Sequence, residues 1–354
     1  MRNDEIAAAI EPLLKKFAPE LEGPDLDIAR EIMTTALKLA GEQVSRLDRK
    51  IVNSAIKEMR HAFRVFAPYK GIRKVSIFGS ARTTSLDPEY TAAKEFARQI
   101  AELGWMVITG AGPGIMEAGH EGAGGDKSFG ANIRLPFEAK PNPVIANNSK
   151  LINFKYFFTR KVTFMKEADA FVLLPGGFGT MDEAFELLTL VQTGKSDISP
   201  IVLLDRPGGD YWSGWERYVK GELLGRGFVS PDDLCLFHCV EDPSEAVDEI
   251  SRFYRVYHSQ RLIGRKLVLR LTTMPDKDVL EELSEEFNDI LDGPIVSTPT
   301  SKAEVRDHDV PDLPRIALSF DRQHVGRLRI LIDALNDKVP AGAAPAVKGD
   351  PRSV

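Results

Sequence analysis

The chain has 354 residues, is 43% hydrophobic and 28% charged, and carries a formal net charge of −6. That balance describes a globular protein of one or two domains with ample material for a core. It argues against a nucleic-acid scaffold, which carries a basic surplus. No apolar run approaches bilayer length, and the opening MRNDEIAAAIEPLL is acidic and amphipathic, unlike a secretory leader. No membrane or nucleic-acid partner is therefore expected. Cys235 and Cys239 are the two cysteines. A disulfide framework is excluded, and a cytoplasmic location is expected.

Residues 1–68 read as a helical extension. Ile6, Ile10, Leu13, Leu14 and Phe17 recur at helical spacing, and 28–39 and 44–66 repeat the pattern. Gly23-Pro24 punctuates the first two stretches.

From residue 69 to 260 the rhythm changes. Short β-rich runs fall at 74–78, 105–109, 130–135, 169–174, 200–204 and 234–238. Helical stretches fall between or after them at 88–103, 155–168, 180–193, 211–223 and 243–257. Alternating strands and helices predict an α/β fold, a Rossmann-like, doubly wound parallel sheet. Such sheets bind ligands at the carboxyl ends of their strands. Three glycine-containing loops sit at those ends: Gly79-Ser80, GAGPG at 110–114 and PGGFGT at 175–180.

Residues 261–340 read as a small α+β module. Strands at 266–271, 294–299 and 315–320 combine with helices at 276–291 and 324–337, an order one strand short of a ferredoxin-like unit. Residues 341–354 have the composition of a disordered tail. In CLFHC, at 235–239, a strand would put His238 on the face opposite both cysteines, and no fourth ligand lies nearby. No metal site is expected there.

The glycine loops do not fit the commonest nucleotide motifs. GAGPGIME is spaced G-x-G-x-G, with Ile115 where a dinucleotide fingerprint needs its third glycine. Asp126 interrupts GGDKS, and Thr189 stands where a P-loop ending in Gly194-Lys195-Ser196 needs its first glycine. A helix N-terminus with close backbone approach still suits a phosphate, and Gly176, Gly177, Gly179 and Thr180 make such a start. Thr180 and Glu183 also have the spacing of a capping box. Arg160-Lys161 lies on the preceding helix, where a basic pair is ordinarily a solvated face. Phe157, Phe158, Phe164 and Met165 around it read as core, with Phe157 or Phe158 as an alternative platform for a base.

FFTRKVTFM at 157–165 followed by PGGFGTMDE at 175–183 resembles the two signatures of the LONELY GUY (LOG) family. GAGPGIMEAGHEGA at 110–123, IRLPFEAKPNP at 133–143 and LTLVQTGK at 188–195 resemble its longer bacterial form. The resemblance covers roughly 70–258. It implies hydrolysis of the N-glycosidic bond of nucleoside 5′-monophosphates, giving free base and ribose 5-phosphate. Matched residue by residue, Arg160 and Glu183 are the implied catalytic pair. Gly79, Ser80, Gly112, Gly114, Lys161, Gly176, Gly177, Gly179 and Thr180 are the implied substrate-binding residues. The sequence departs from the family pattern at Ala111, where glycine is frequent. The family's older label, lysine decarboxylase, has no support in the residues, since nothing marks a Schiff-base lysine. The resemblance also implies a homodimer or larger homo-oligomer, and no metal or redox cofactor is required. A non-catalytic nucleotide or cofactor carrier on the same fold is the alternative.

Overall fold

Val75 and Ile77 point to one side of their strand, Ser76 and Phe78 to the other, and all four are buried. A strand covered on both faces belongs to the interior of a layered α/β structure. The computed structural model describes residues 3–134 and 140–342. The segment 135–139, within the matched 133–143 run, and the expected tail from 343 onward lie outside the described residues. The chain divides into two compact units, Met1–Arg60 and His61–Val354.

In the first unit, α1 (Asn3–Phe17) and α2 (Gly23–Gly41) bury Ile6, Ile10 and Leu14 against Leu26, Ala29 and Met33. Arg30 Nε ties the pair by donating to Glu11 Oε2 at 3.0 Å. A third helix, α3 (Arg46–Phe66), begins in this unit and ends in the next.

The second unit is built on seven parallel strands. They are β1 (Lys74–Phe78), β2 (Met106–Thr109), β3 (Ser128–Ile133), β4 (Leu151–Phe154), β5 (Ala170–Leu173), β6 (Ile201–Leu204) and β7 (His238–Val240). Their order is β4-β3-β2-β1-β5-β6-β7. The chain thus builds outward from β1 on one side, then returns to add β5 on the other. That reversal leaves a crevice above β1 and β5, where ligands bind in doubly wound sheets. The Rossmann-like reading holds.

Helices α4 (Pro88–Glu102), α5 (Ile115–Ala123) and α9 (Pro243–Phe253) cover one face, burying Val75, Ile77, Val107, Val172 and Val202. Helices α6 (Phe157–Glu167), α7 (Phe178–Gln192) and α8 (Tyr211–Tyr218) accompany the other. There Ile108, Phe129, Phe171, Leu173 and Leu203 join one large cluster. Each such side chain, fully buried, contributes roughly 1.5–3 kcal/mol.

That cluster continues into a second sheet through Leu269, Leu271, Ile316 and Leu335. Its strands are β8 (Tyr257–Ile263), β9 (Lys266–Leu271), β10 (Val296–Ser297) and β11 (Arg315–Leu318). They run antiparallel in the order β10-β11-β9-β8, with α10 (Lys277–Glu286), α11 (Lys302–Arg306) and α12 (Val325–Lys338). Buried Arg270 and Arg315 both bond Glu304 Oε1, each at 3.1 Å.

Four local readings change. The expected strand at 234–238 is largely a 3-10 helix, Pro231–Leu236, started by a capping box of Ser230 and Asp233. Only His238 to Val240 form a strand, so the opposed-face argument for Cys235 and Cys239 does not apply. The helix expected over 243–257 stops at Phe253. Tyr257–Ile263 then forms a fourth antiparallel strand, so the ferredoxin-like order is not followed. β4 (Leu151–Phe154) was not anticipated and lies at the sheet edge.

Candidate active site

The three glycine loops meet at the carboxyl ends of β1, β2 and β5, and backbone bonds hold them there. Ser80 N–H donates to the Pro175 carbonyl at 3.1 Å, and Ser80 C=O accepts from Ile115 N–H at 3.1 Å. Ser80 is thus the junction between the loops after β1, β2 and β5. Its side chain accepts from Arg82 N–H at 3.1 Å.

The glycines at the junction leave no room for a side chain. A Cβ on Gly114, at φ +69°, would lie 2.4 Å from the Ser80 carbonyl oxygen. A Cβ on Gly176 would lie 2.0 Å from Thr180 Oγ1, and one on Gly79 would strike Ile115. Gly112 faces the flexible end of Met116. At Gly177 and Gly179, by contrast, a Cβ would meet nothing within 4 Å. The first group serves close packing. The second borders open space.

Helix α7 begins at Phe178 with Gly177 as its N-cap and no side-chain cap. Thr180 is therefore already the third helical residue, and the capping-box reading of Thr180 and Glu183 is wrong. The glycines let the chain enter the helix three residues earlier than the capping-box spacing suggested. Uncapped N–H groups at a helix start are an anion site.

Arg160 and Lys161 sit on α6, beside α7. Arg160 Nε donates to the Ala131 carbonyl at 2.8 Å, and its guanidinium lies 5.1 Å from the Phe164 ring. It also abuts Gly110, where a Cβ would fall 2.4 Å from Nη2. The basic pair is thus not a solvated face. Lys161 Nζ meets Asp182 Oδ2 at 2.9 Å, contacts Glu186, and lies 4.0 Å from Glu183 Oε2.

Glu183 is the anomaly of the site. It is buried, and its Oε2 has no hydrogen-bond partner. Burial pushes its carboxyl up to about 7, against the pull of Lys161 and Arg160. A buried, perturbed carboxyl beside two cations makes Glu183 a candidate functional group. Phe164 and Met165 are buried as expected, but Phe157 and Phe158 are about half exposed and are not core.

Two further features support the loop after β2. Ala111 has φ +63°, a left-handed conformation that favours glycine. It is held there by bonds. Its N–H donates to Thr109 Oγ1 at 3.0 Å, and its carbonyl accepts from Asn142 N–H and Nδ2 at 2.9 and 3.1 Å. Buried His120 completes the support, with Nε2 3.0 Å from the Phe129 carbonyl. Burial lowers its pKa, so it is a neutral brace. Tyr211, from α8, donates its hydroxyl to the Gly176 carbonyl. Asn142, His120 and Tyr211 were missed: His120 and Asn142 lie inside the runs 110–123 and 133–143, but nothing in their spacing marks them as braces, and Tyr211 stands alone on α8.

A family described as possible lysine decarboxylase matches residues 114–250. A cytokinin riboside 5′-monophosphate phosphoribohydrolase of Mycobacterium tuberculosis is 29% identical over 175 residues, covering 49% of this chain and 90% of the relative. A similarly named Arabidopsis thaliana protein is 28% identical over 164 residues, covering 45% and 73%. Among solved structures, a molybdenum cofactor binding protein of Rippkaea orientalis has a TM-score of 0.37 at 18% identity, covering 50% of this chain and 94% of that one. The molybdenum cofactor carrier protein of Chlamydomonas reinhardtii has a TM-score of 0.37 at 19%, covering 51% and 97%.

Proposed function

We propose that this chain, which resembles the LONELY GUY (LOG) family, hydrolyses the N-glycosidic bond of nucleoside 5′-monophosphates. The observation that carries the reading is Glu183, a buried carboxyl with an unpartnered oxygen beside Lys161 and Arg160. A desolvated carboxylate is costly unless something uses its charge.

The substrate 5′-phosphate sits on the N–H groups at the start of α7, over Gly177, Gly179 and Thr180. The bond from ribose C1′ to the base nitrogen lengthens, and positive charge develops on the ribosyl ring. The Glu183 carboxylate stabilises that charge and takes a proton from the attacking water. The water oxygen bonds C1′, and the base departs with the bond's electron pair and takes up a proton. Arg160 positions the ribose or phosphate; its pKa is too high for it to be a ready proton donor. Lys161 tunes Glu183 and adds positive charge near the phosphate. A carboxyl poised near neutrality suits this duty.

We also propose a homodimer, since Phe157, Phe158, Val162, Phe178 and Phe185 expose apolar surface on α6 and α7. The test of activity is incubation of the purified chain with AMP, GMP, CMP and UMP, followed by chromatography for free base. A nucleotide carrier would retain nucleotide and release none.

A further inference from the structure

Gly176 and Gly177 stand together at the start of α7, and a peptide between two glycines has no side chain to fix its plane. Both peptides of this turn are nonetheless held. The Pro175 carbonyl accepts from Ser80 N–H at 3.1 Å. The Gly176 carbonyl accepts from the Tyr211 hydroxyl, which arrives from α8.

Tyr211 is itself fixed by a residue that the proposed chemistry does not use. Asp205 follows β6 and is buried. Its Oδ2 accepts from Tyr211 N–H at 3.0 Å and from Trp212 N–H at 3.3 Å, and its Oδ1 accepts from Arg206 N–H at 2.9 Å. Asp205 therefore caps α8 from outside the helix, while Asp210, at the N-cap position, makes no side-chain cap bond. The turn between them is closed by Gly209 N–H donating to the Arg206 carbonyl at 2.9 Å. A Cβ on Gly209 would lie 2.1 Å from Asp205 Oδ1, so the turn is seated on the carboxylate. Buried Trp212 donates its Nε1–H to the Leu204 carbonyl at 3.3 Å, and its ring meets the Tyr211 ring edge-on at 4.9 Å. The phenol thus has an anchored backbone and an anchored ring. Burial raises its pKa, so the hydroxyl keeps its proton and remains a donor.

In a planar trans peptide the C=O and the following N–H point in opposite directions, and no described peptide is cis. A Gly176 carbonyl drawn towards Tyr211 therefore turns the Gly177 N–H away from it. We infer that Tyr211 is a positioning residue for the substrate phosphate: its hydroxyl sets the Gly176–Gly177 peptide so that the Gly177 N–H meets a phosphate oxygen, and Asp205 sets Tyr211. This role rests on the proposed phosphate position at the start of α7. It ties that position to β6 and α8, outside the glycine loops themselves. A hydrogen bond to a charged oxygen is stronger than one between neutral groups, so a misdirected N–H costs affinity for the phosphate in particular.

The test is calorimetric titration of the full chain with ribose 5-phosphate, alongside KM and kcat for base release. Tyr211→Phe keeps the ring against Trp212 and removes only the hydroxyl. It should weaken ribose 5-phosphate binding about tenfold, the scale of one hydrogen bond to a charged group. KM for the nucleotide should rise by a similar factor with kcat little changed. Inhibition by the corresponding nucleoside, which lacks the phosphate, should not change. A tyrosine with a merely structural role would weaken both kinds of ligand alike. Asp205→Asn leaves the hydroxyl in place and one acceptor for the start of α8. A smaller loss in the same sense is expected from it, and it decides the matter if Tyr211→Phe does not fold. Ribose 5-phosphate binding at full strength in Tyr211→Phe overturns the inference, as does an equal loss for ligands with and without the phosphate. Tenfold weaker ribose 5-phosphate binding in Tyr211→Phe, with no base released by the wild type, supports the positioning role and refutes the hydrolysis alone. No ribose 5-phosphate binding by the wild type at millimolar concentration overturns the phosphate position and the inference together.

Discussion

Lys161 Nζ stands 4.0 Å from Glu183 Oε2 while meeting Asp182 Oδ2 at 2.9 Å. The lysine is close enough to lower the glutamate's pKa and too far to satisfy its oxygen. Lys161 is the largest influence holding that carboxyl down against burial. Lys161→Met should therefore move the acidic limb of kcat/KM from about 7 to higher pH. A pH–rate profile with an unmoved limb would break the link between the two residues.

Stability should respond to the same carboxyl. Its native value, about 7, lies above the ordinary glutamate value of 4.5. Between those values the native chain holds a proton that the unfolded chain has released, so its contribution to stability falls as pH rises. Glu183→Gln removes that loss. The variant should match the wild type near pH 4.5 and exceed it by about 3 kcal/mol at pH 8. Urea melts at both pH values check this, and an equal difference at each would contradict it.

The glycines divide by the space above them. Gly114→Ala would press a methyl onto the Ser80 carbonyl and should destabilise the loop junction. Gly177→Ala and Gly179→Ala meet nothing and should melt as the wild type does. Their KM for a nucleotide should still rise, on the order of tenfold, because the methyl occupies the phosphate's approach. Unchanged KM in both would place the phosphate elsewhere.

Much of this was legible in the sequence, for reasons visible at particular residues. KVSIF and MVIT are short apolar runs buried on both faces, and each ends at a glycine loop, so strand and loop announce each other. LINF at 151–154 escaped because no glycine loop follows it and it runs on towards the apolar start of α6. Tyr257–Ile263 escaped because His258, Ser259, Gln260 and Arg261 break apolar alternation. Their polarity is absorbed by tertiary partners, such as Arg270 on Ser259 and Asp309 on Arg261. Arg160 and Glu183 were legible as motif positions. The orphaned oxygen of Glu183 was not, since burial is a property of the assembled helices.

The apolar surface on α6 and α7 predicts association. Phe178 is 97% exposed, which is costly unless a partner covers it. Sedimentation should show a homodimer or larger species at micromolar concentration, and Phe178→Glu should shift it towards monomer. A monomer of 39.2 kDa in the unmodified protein would contradict this.

The most direct measurement is base release from nucleoside 5′-monophosphates by the wild type and by Glu183→Gln. The account predicts free base and ribose 5-phosphate from at least one nucleotide. It predicts turnover lower by on the order of a hundredfold or more in Glu183→Gln, with nucleotide binding retained. Release of no base from any nucleotide, or near-normal turnover in folded Glu183→Gln, would contradict it.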